Sequence, residues 1–411
     1  MALTQKILAS RLRDARQAAG ITQDVAAEAL GIPRTAVVKL EGGERSVSTL
    51  ELTQLAQLYG RSVTTLLAGA PQSDESDAIL ALFRATTARG TNAPWKADVE
   101  RCLVVCRTGA ELKRLLGLSS VAWPPTYDCL PPARTMEAVR QGTDAAKQER
   151  GRLGLGSRPI PDMADLINSL GIWATGADLP DGMSGAFLKD RDAGMVILVN
   201  FDHPKPRKRF SYAHEYAHAL FDRQSPAVVS WEAESNAILE TRANAFAAEF
   251  LLPEDGVRTF LTRLSKGGPS IAEHALPGIA LERGEVNRAV KRAPIGSQRV
   301  TFEDVARLAL RYGVAFETAV YRLKNTAMIG AQDFQTLLSQ ESLAARYSKL
   351  LHHEDQSAPG TRDRALVPEV IHLAIEAYRR EVISGGRLRD VSRLLDVSGR
   401  DLLELAEAAS G

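Results

Sequence analysis

His214, Glu215 and His218 are spaced as H-E-x-x-H within RFSYAHEYAHALF, a stretch that reads as a helix. Histidines four residues apart lie on one helical face, about 6 Å apart along the axis, so their imidazoles can converge on one metal ion. The carboxylate of Glu215 then sits beside the open side of that ion, placed to take a proton from water. A zinc hydrolase needs this set of groups. The competing reading is an amphipathic helix carrying two ordinary core histidines.

A third ligand decides between the two readings, and it should come from downstream. In the segment Glu240-Thr241-Arg242-Ala243-Asn244 through Pro253, Glu240 and Asn244 are four apart on one helical face. Ala243, Ala247 and Ala248 are small enough for another helix to approach closely. Glu240 would complete a His2Glu set with an open fourth position. Asn244, one turn on, would hydrogen-bond the second nitrogen of a ligand histidine and fix its tautomer. Asp222 shares the His218 face but lies about 12 Å along the axis from His214, too far to share a tetrahedral ion. Spacing leaves Glu232, Glu234 and Glu249 open as alternatives.

These groups need a scaffold. PIPDMADLINSLGIWATG reads as a helix from Asp162 to Leu170 and a strand at Ile172-Trp173-Ala174. MSGAFLKD and GMVILVN read as two more strands with a turn at 191–194, and the metal helix should begin near Lys208. Three short strands ahead of a metal-bearing helix are the layout of a zincin. Its sheet has an edge strand able to pair with an extended peptide beside the metal.

The chain has 411 residues, 45% hydrophobic and 25% charged, with a net charge of +1. Several domains are therefore expected, and a global polycation is excluded, so any nucleic-acid contact must be a local patch. No apolar run approaches the length of a membrane span. The opening MALTQKILASRLRDAR becomes charged too early for a signal peptide, and three cysteines do not make a disulfide framework. A cytoplasmic protein is expected. Cys102 and Cys106, four apart among apolar neighbours, read as buried small hydrophobes, while Cys129 lies in a loop, TYDCLPP, where a thiolate could occupy a metal's open position.

Residues 5–70 show short helices broken at Gly20, Gly31 and Gly42-Gly43, with Thr22 as a helix N-cap, a helix-turn-helix pattern. Gly20-Ile21-Thr22-Gln23, Leu30-Gly31-Ile32, Leu40-Glu41-Gly42-Gly43 and LTQLAQLYGRSV resemble the XRE/Cro family of DNA-binding domains. That resemblance implies a double-stranded DNA operator as partner. By position Gln23 would bind phosphate, and Arg34, Thr35 and Lys39 would face the major groove. The module is only slightly basic and carries Glu44 near the DNA side, so binding is expected to gain from a homodimer.

Between this head and the metal domain, residues 69–77 read as a polar linker, 78–118 as helices, 121–132 as proline-rich and irregular, and 134–154 as a long helix. Beyond a break at Gly267-Gly268-Pro269, residues 300–324 read as helix, Gly313 turn, helix, a packed support for the site. Residues 351–362, with the adjacent His352 and His353, read as a surface loop, and 367–409 as helical.

SGAF, ILVN, RKRFSYAHEYAHALF and ETRANAFAAEFLLP together resemble the ImmA/IrrE family of metallopeptidases over roughly 146–255. The resemblance implies that His214, His218 and Glu240 bind Zn2+ and that Glu215 is the general base. It also implies a repressor or antitoxin-like protein substrate, in phage-related or stress control. The expected architecture is mainly α with a small β-sheet. An all-α helix-turn-helix head (5–70) and a helical connecting region (71–145) precede an α+β zincin-like metallopeptidase domain (146–265). A helix-turn-helix-like supporting module (266–330) and a helical C-terminal region (331–411) follow. The alternative function is an XRE-family transcription factor whose zincin-like domain senses a ligand or partner without proteolysis.

Overall fold

The computed structural model describes residues 4–18, 21–59, 63–68, 82, 95–118, 123–127, 129–234, 237–266, 271–275, 288–292, 298–351 and 365–408. The expected linker at 69–77, most of the helix expected next to it, the Gly267-Gly268-Pro269 break and the loop with His352 and His353 lie outside the described residues.

The head contains α1 (Gln5–Ala18), α2 (Gln23–Leu30), α3 (Arg34–Glu41), α4 (Thr49–Leu58) and α5 (Val63–Ala68). Thr22 caps α2 by accepting from Val25 N, and Gly31 ends it at φ +64°, a left-handed conformation that a Cβ would strain. The tight turn brings Ala26, Val37, Leu40 and Leu55 into one small core with Leu12. Beneath it Arg16 and Glu41 form a buried ion pair at 2.6 Å.

Next come α6 (Trp95–Leu115), α7 (Thr135–Arg152) and α8 (Met163–Ser169), then β1 (Trp173–Ala177), β2 (Met183–Asp190) and β3 (Gly194–Asn200). The helix of the H-E-x-x-H motif is α9 (Lys205–Phe221), starting one turn earlier than expected because Pro204 serves as its N-cap. A strand not expected from the sequence follows, β4 (Ala227–Trp231), and then α10 (Ile238–Leu251) and α11 (Glu254–Arg263). The sheet order is β1-β3-β2-β4, with β1 parallel to β3 and the other pairs antiparallel. The edge beside the metal helix is therefore β4, downstream of that helix rather than upstream. β5 (Ile271–Ala275) and β6 (Arg288–Arg292) form a separate antiparallel pair.

Both faces of the sheet are covered, which is why β3 reads as a continuous apolar run rather than an alternating one. One face carries Phe187, Ile197 and Val199 against α9, α10 and the helix pair α12 (Phe302–Tyr312) and α13 (Phe316–Asn325). After α14 (Ala331–Ser339) and α15 (Glu341–Leu351) come α16 (Val367–Arg379), α17 (Gly385–Leu394) and α18 (Gly399–Ala408). These last three join α6 on the opposite face, around Trp173, Ala186, Val196 and Leu198. The connecting helix and the C-terminal helices thus share one core with the back of the sheet.

Helices α7 and α10 pack closely through small residues. A Cβ on Gly142 of α7 would lie 2.2 Å from the carbonyl oxygen of Arg242. The small face of α10 therefore serves an upstream helix as well as the metal helix.

Candidate metal centre

On α9, His214 and His218 fall on one face, and Glu240, in the first turn of α10, comes up beside them. One ligand atom from each of the three lies within 4.8 Å of the others. His214 Nε2 is 3.0 Å from Glu240 Oε2, His218 Nε2 is 3.4 Å from Glu240 Oε1, and the two Nε2 atoms are 3.2 Å apart. All three residues are buried.

The other ring nitrogens are held in place. His214 Nδ1 donates to Asn244 Oδ1 at 2.9 Å, and His218 Nδ1 donates to Asp222 Oδ2 at 2.7 Å. Each bond selects the tautomer that leaves Nε2 free to ligate. Arg242 fixes Asp222 in turn, with Nη2 at 2.6 Å from Oδ1, while its guanidinium stacks 4.3 Å from the Phe221 ring centroid. Asp222, unfit as a ligand by distance along the helix, is thus hydrogen-bonded to a candidate ligand. Its spacing of four from His218 was the available signal for that role. Nothing in the sequence pointed to Arg242.

Glu215 is completely buried, and among the described residues neither carboxylate oxygen has a hydrogen-bond partner. Its side chain lies against Gly185 of β2, where an added Cβ would sit 2.8 Å from Oε1 and 2.9 Å from the Leu198 carbonyl. This close approach explains the glycine in SGAF. Burial pushes the Glu215 pKa up, against the opposing pull of His214 and His218. Ser230 also favours the ionised form, without reaching hydrogen-bond geometry. Burial alone would raise the Glu240 pKa, but the hydrogen bonds with both histidines outweigh it and bring it to about 2. For His218, burial pulls downward, and the bonds to Asp222 and Glu240 win, raising it to about 10. Two imidazoles and one carboxylate, with a second buried carboxylate alongside, fit a divalent metal ion.

The rival carboxylates have other partners. Glu232 is exposed and paired with Arg207, and Glu249 is buried against Arg322. The Glu234 side chain falls outside the described residues. His203 lies at the head of α9, 3.9 Å from Glu232, and Tyr212 is buried in the core. The Cys129 thiol lies 3.8 Å from Arg242 Nη1 rather than with the three ligand atoms. Cys106 is fully buried, which pushes its thiol pKa up, as expected for a small hydrophobe.

In the head, Arg34, Thr35 and Lys39 are exposed along α3. Gln23 turns inward instead, its amide donating to Glu41 Oε2 at 3.0 Å. No helix among the described residues is long and apolar enough to cross a membrane.

Residues 167–274 match the IrrE N-terminal-like domain, and residues 7–68 match a helix-turn-helix domain. Among curated proteins, the radiation response metalloprotease IrrE of Deinococcus deserti is 31% identical over 131 residues. That alignment covers 28% of this chain and 47% of the relative, so the chain spans about half of that protein's length. The metal-type cluster lies inside the matched segment, so the chain pairs a helix-turn-helix domain with a domain similar to the IrrE N-terminal-like domain.

Proposed function

We propose that this protein is a DNA-binding regulator whose IrrE-like domain is a zinc-dependent endopeptidase acting on a repressor or antitoxin-like protein under stress. The observation that carries the reading is Glu215. A fully buried carboxylate without a partner costs stability, and such a group is retained where chemistry uses it. The name of the Deinococcus relative supports the stress context.

His214 and His218 through Nε2, and Glu240 through its carboxylate, would hold the ion. Zinc there supplies Lewis acidity to a scissile carbonyl and to the attacking water. Glu215 accepts a proton from that water at a carboxylate oxygen and returns it to the leaving amine nitrogen. Asn244 and Asp222 keep the two imidazoles oriented throughout. Ser230 of β4 pairs with Gly185, the residue that touches Glu215, so a peptide adding to the β4 edge would run past the general base. Arg34, Thr35 and Lys39 of α3 would meet the operator.

The test is co-expression with the proteins encoded beside it, with and without Glu215→Gln. Wild type should cut one neighbour. The variant should leave it intact, with cleavage lowered by about 10^3-fold and metal content unchanged. If nothing is cut and both forms regulate equally, the protease reading is lost. The domain would then serve as a sensor of a ligand or partner.

A further inference from the structure

On the sheet face away from the metal centre, the connecting helix, the β1 edge and the C-terminal helices do not close completely. They leave a cavity of about 70 Å³, room for about five waters at the ~15 Å³ that one water centre needs. Val105, Phe201, Leu366 and Leu394 supply apolar walls, and Asp98, Arg101 and Thr175 line it with polar groups.

Two polar features face this space. The first is the outer edge of β1, with which no described strand pairs. Along that edge Ala174 has its N–H and C=O taken by the Asn168 amide, at 2.8 and 3.3 Å, and Asp178 N donates to Asp98 at 2.9 Å. Among the described residues, Gly176, between them, receives at its carbonyl only a long contact from the Cys102 thiol, at 3.8 Å. A thiol is a weak donor, so this rung of the edge is poorly satisfied. The second is Thr175, 5% exposed, which lines the cavity beside Gly176 with its hydroxyl-bearing side chain.

Charge narrows the class of ligand. Arg101 gives one N–H to the Leu394 carbonyl and shares the lining with the carboxylates of Asp98 and Asp396. An anionic head would meet two carboxylates, and a cationic head would meet a guanidinium. A neutral head bearing both a donor and an acceptor suits Thr175 and the Gly176 edge together.

We propose that this cavity binds a small uncharged amphipathic molecule. Its primary amide or hydroxyl pairs with Thr175 and the Gly176 backbone edge, and its short apolar tail lies against Val105, Phe201 and Leu394. The cavity stands apart from the metal, so the assignment holds whether or not the domain cuts peptides. Because its walls come from the connecting helix, the sheet and the C-terminal helices, an occupant ties those three segments together and stabilises the chain by mass action.

The probes are butanamide, hexanamide and octanamide, with hexanoate and hexylamine as charged controls, tested on the full chain by equilibrium dialysis. At least one amide should bind saturably, and the charged analogues at least tenfold more weakly. Bound amide should slow iodoacetamide alkylation of Cys102 at least fivefold and leave the exposed Cys129 unaffected. Val105→Trp, which fills the cavity, should abolish binding. Thr175→Val, nearly isosteric, should weaken it about tenfold in a chain with unchanged circular dichroism. Absence of binding across the series overturns the proposal. So does equal binding by Thr175→Val, or equal protection of both thiols.

Discussion

At the residue scale the candidate centre is braced by groups beyond its three candidate ligands. The chain His218–Asp222–Arg242 is a carboxylate–histidine pair with an arginine holding the carboxylate, all within hydrogen-bond distance. Such partners fix the tautomer and raise the basicity of the ligating nitrogen. Asp222→Asn keeps the shape but lets the amide present its NH2 group to Nδ1. It should lower metal affinity by about 10- to 100-fold, measured by competition with a chromogenic chelator. Arg242→Ala should produce a smaller loss in the same assay, because Asp222 keeps its bond to His218. Unchanged affinity in Asp222→Asn would remove the orienting role.

At the element scale the ligand geometry rests on how closely α10 is held. Glu240 reaches the histidines because α10 packs between α9 and α7, and α7 can approach because Gly142 has no side chain. Gly142→Ala would force a methyl to 2.2 Å from the Arg242 carbonyl. Overpacking of this kind costs about 1–3 kcal/mol, so the variant should melt earlier and lose metal affinity in parallel. A wild-type melting curve would show that the helices slide apart without strain. The pair α12 and α13 buttresses the same layer. Arg209 of α9 donates to the carbonyls of Ile160 and Tyr312, and Tyr312 donates to the Ser157 carbonyl. These bonds tie that helix pair to α9 and to the segment just before α8.

At the scale of the whole molecule the head and the metal domain have separate cores, so their losses should separate. Lys39→Ala and Arg34→Ala should each weaken DNA binding, with about one unit less salt slope for a lost phosphate contact, and leave metal content untouched. Gel shifts across a salt series would show it, and wild-type binding by both variants would remove α3 from the interface. The head also carries a pH dependence. Burial tends to raise the Glu41 pKa, but the bonds from Arg16 and Gln23 outweigh it, so the folded value lies below the unfolded one. The resulting stability is present above the unfolded carboxylate pKa of about 4.3 and is lost as pH falls through the folded value. Glu41→Gln should therefore cost the head about 3 kcal/mol at neutral pH, read by hydrogen exchange in α1 and α3. The difference from wild type should narrow below about pH 4.

Sequence alone determined whatever depends on local spacing. H-E-x-x-H put two imidazoles on one helical face, Glu240 and Asn244 shared another, and the Gly31 and Gly313 turns marked two helix-turn-helix pairs. These follow from a 3.6-residue period and a left-handed turn, and both are short-range properties. Spacing could not say that Gln23 turns inward to Glu41, because a side chain's partner is set by what packs opposite it. The same limit applies to β4: AVVSW is a short mixed run that becomes a strand through pairing with β2. The role of Gly185 and the Asp222–Arg242 pair depended on the close approach of separate elements. So did the cavity between α6, β1 and α17, whose walls come from residues more than 200 positions apart and meet only in the folded core.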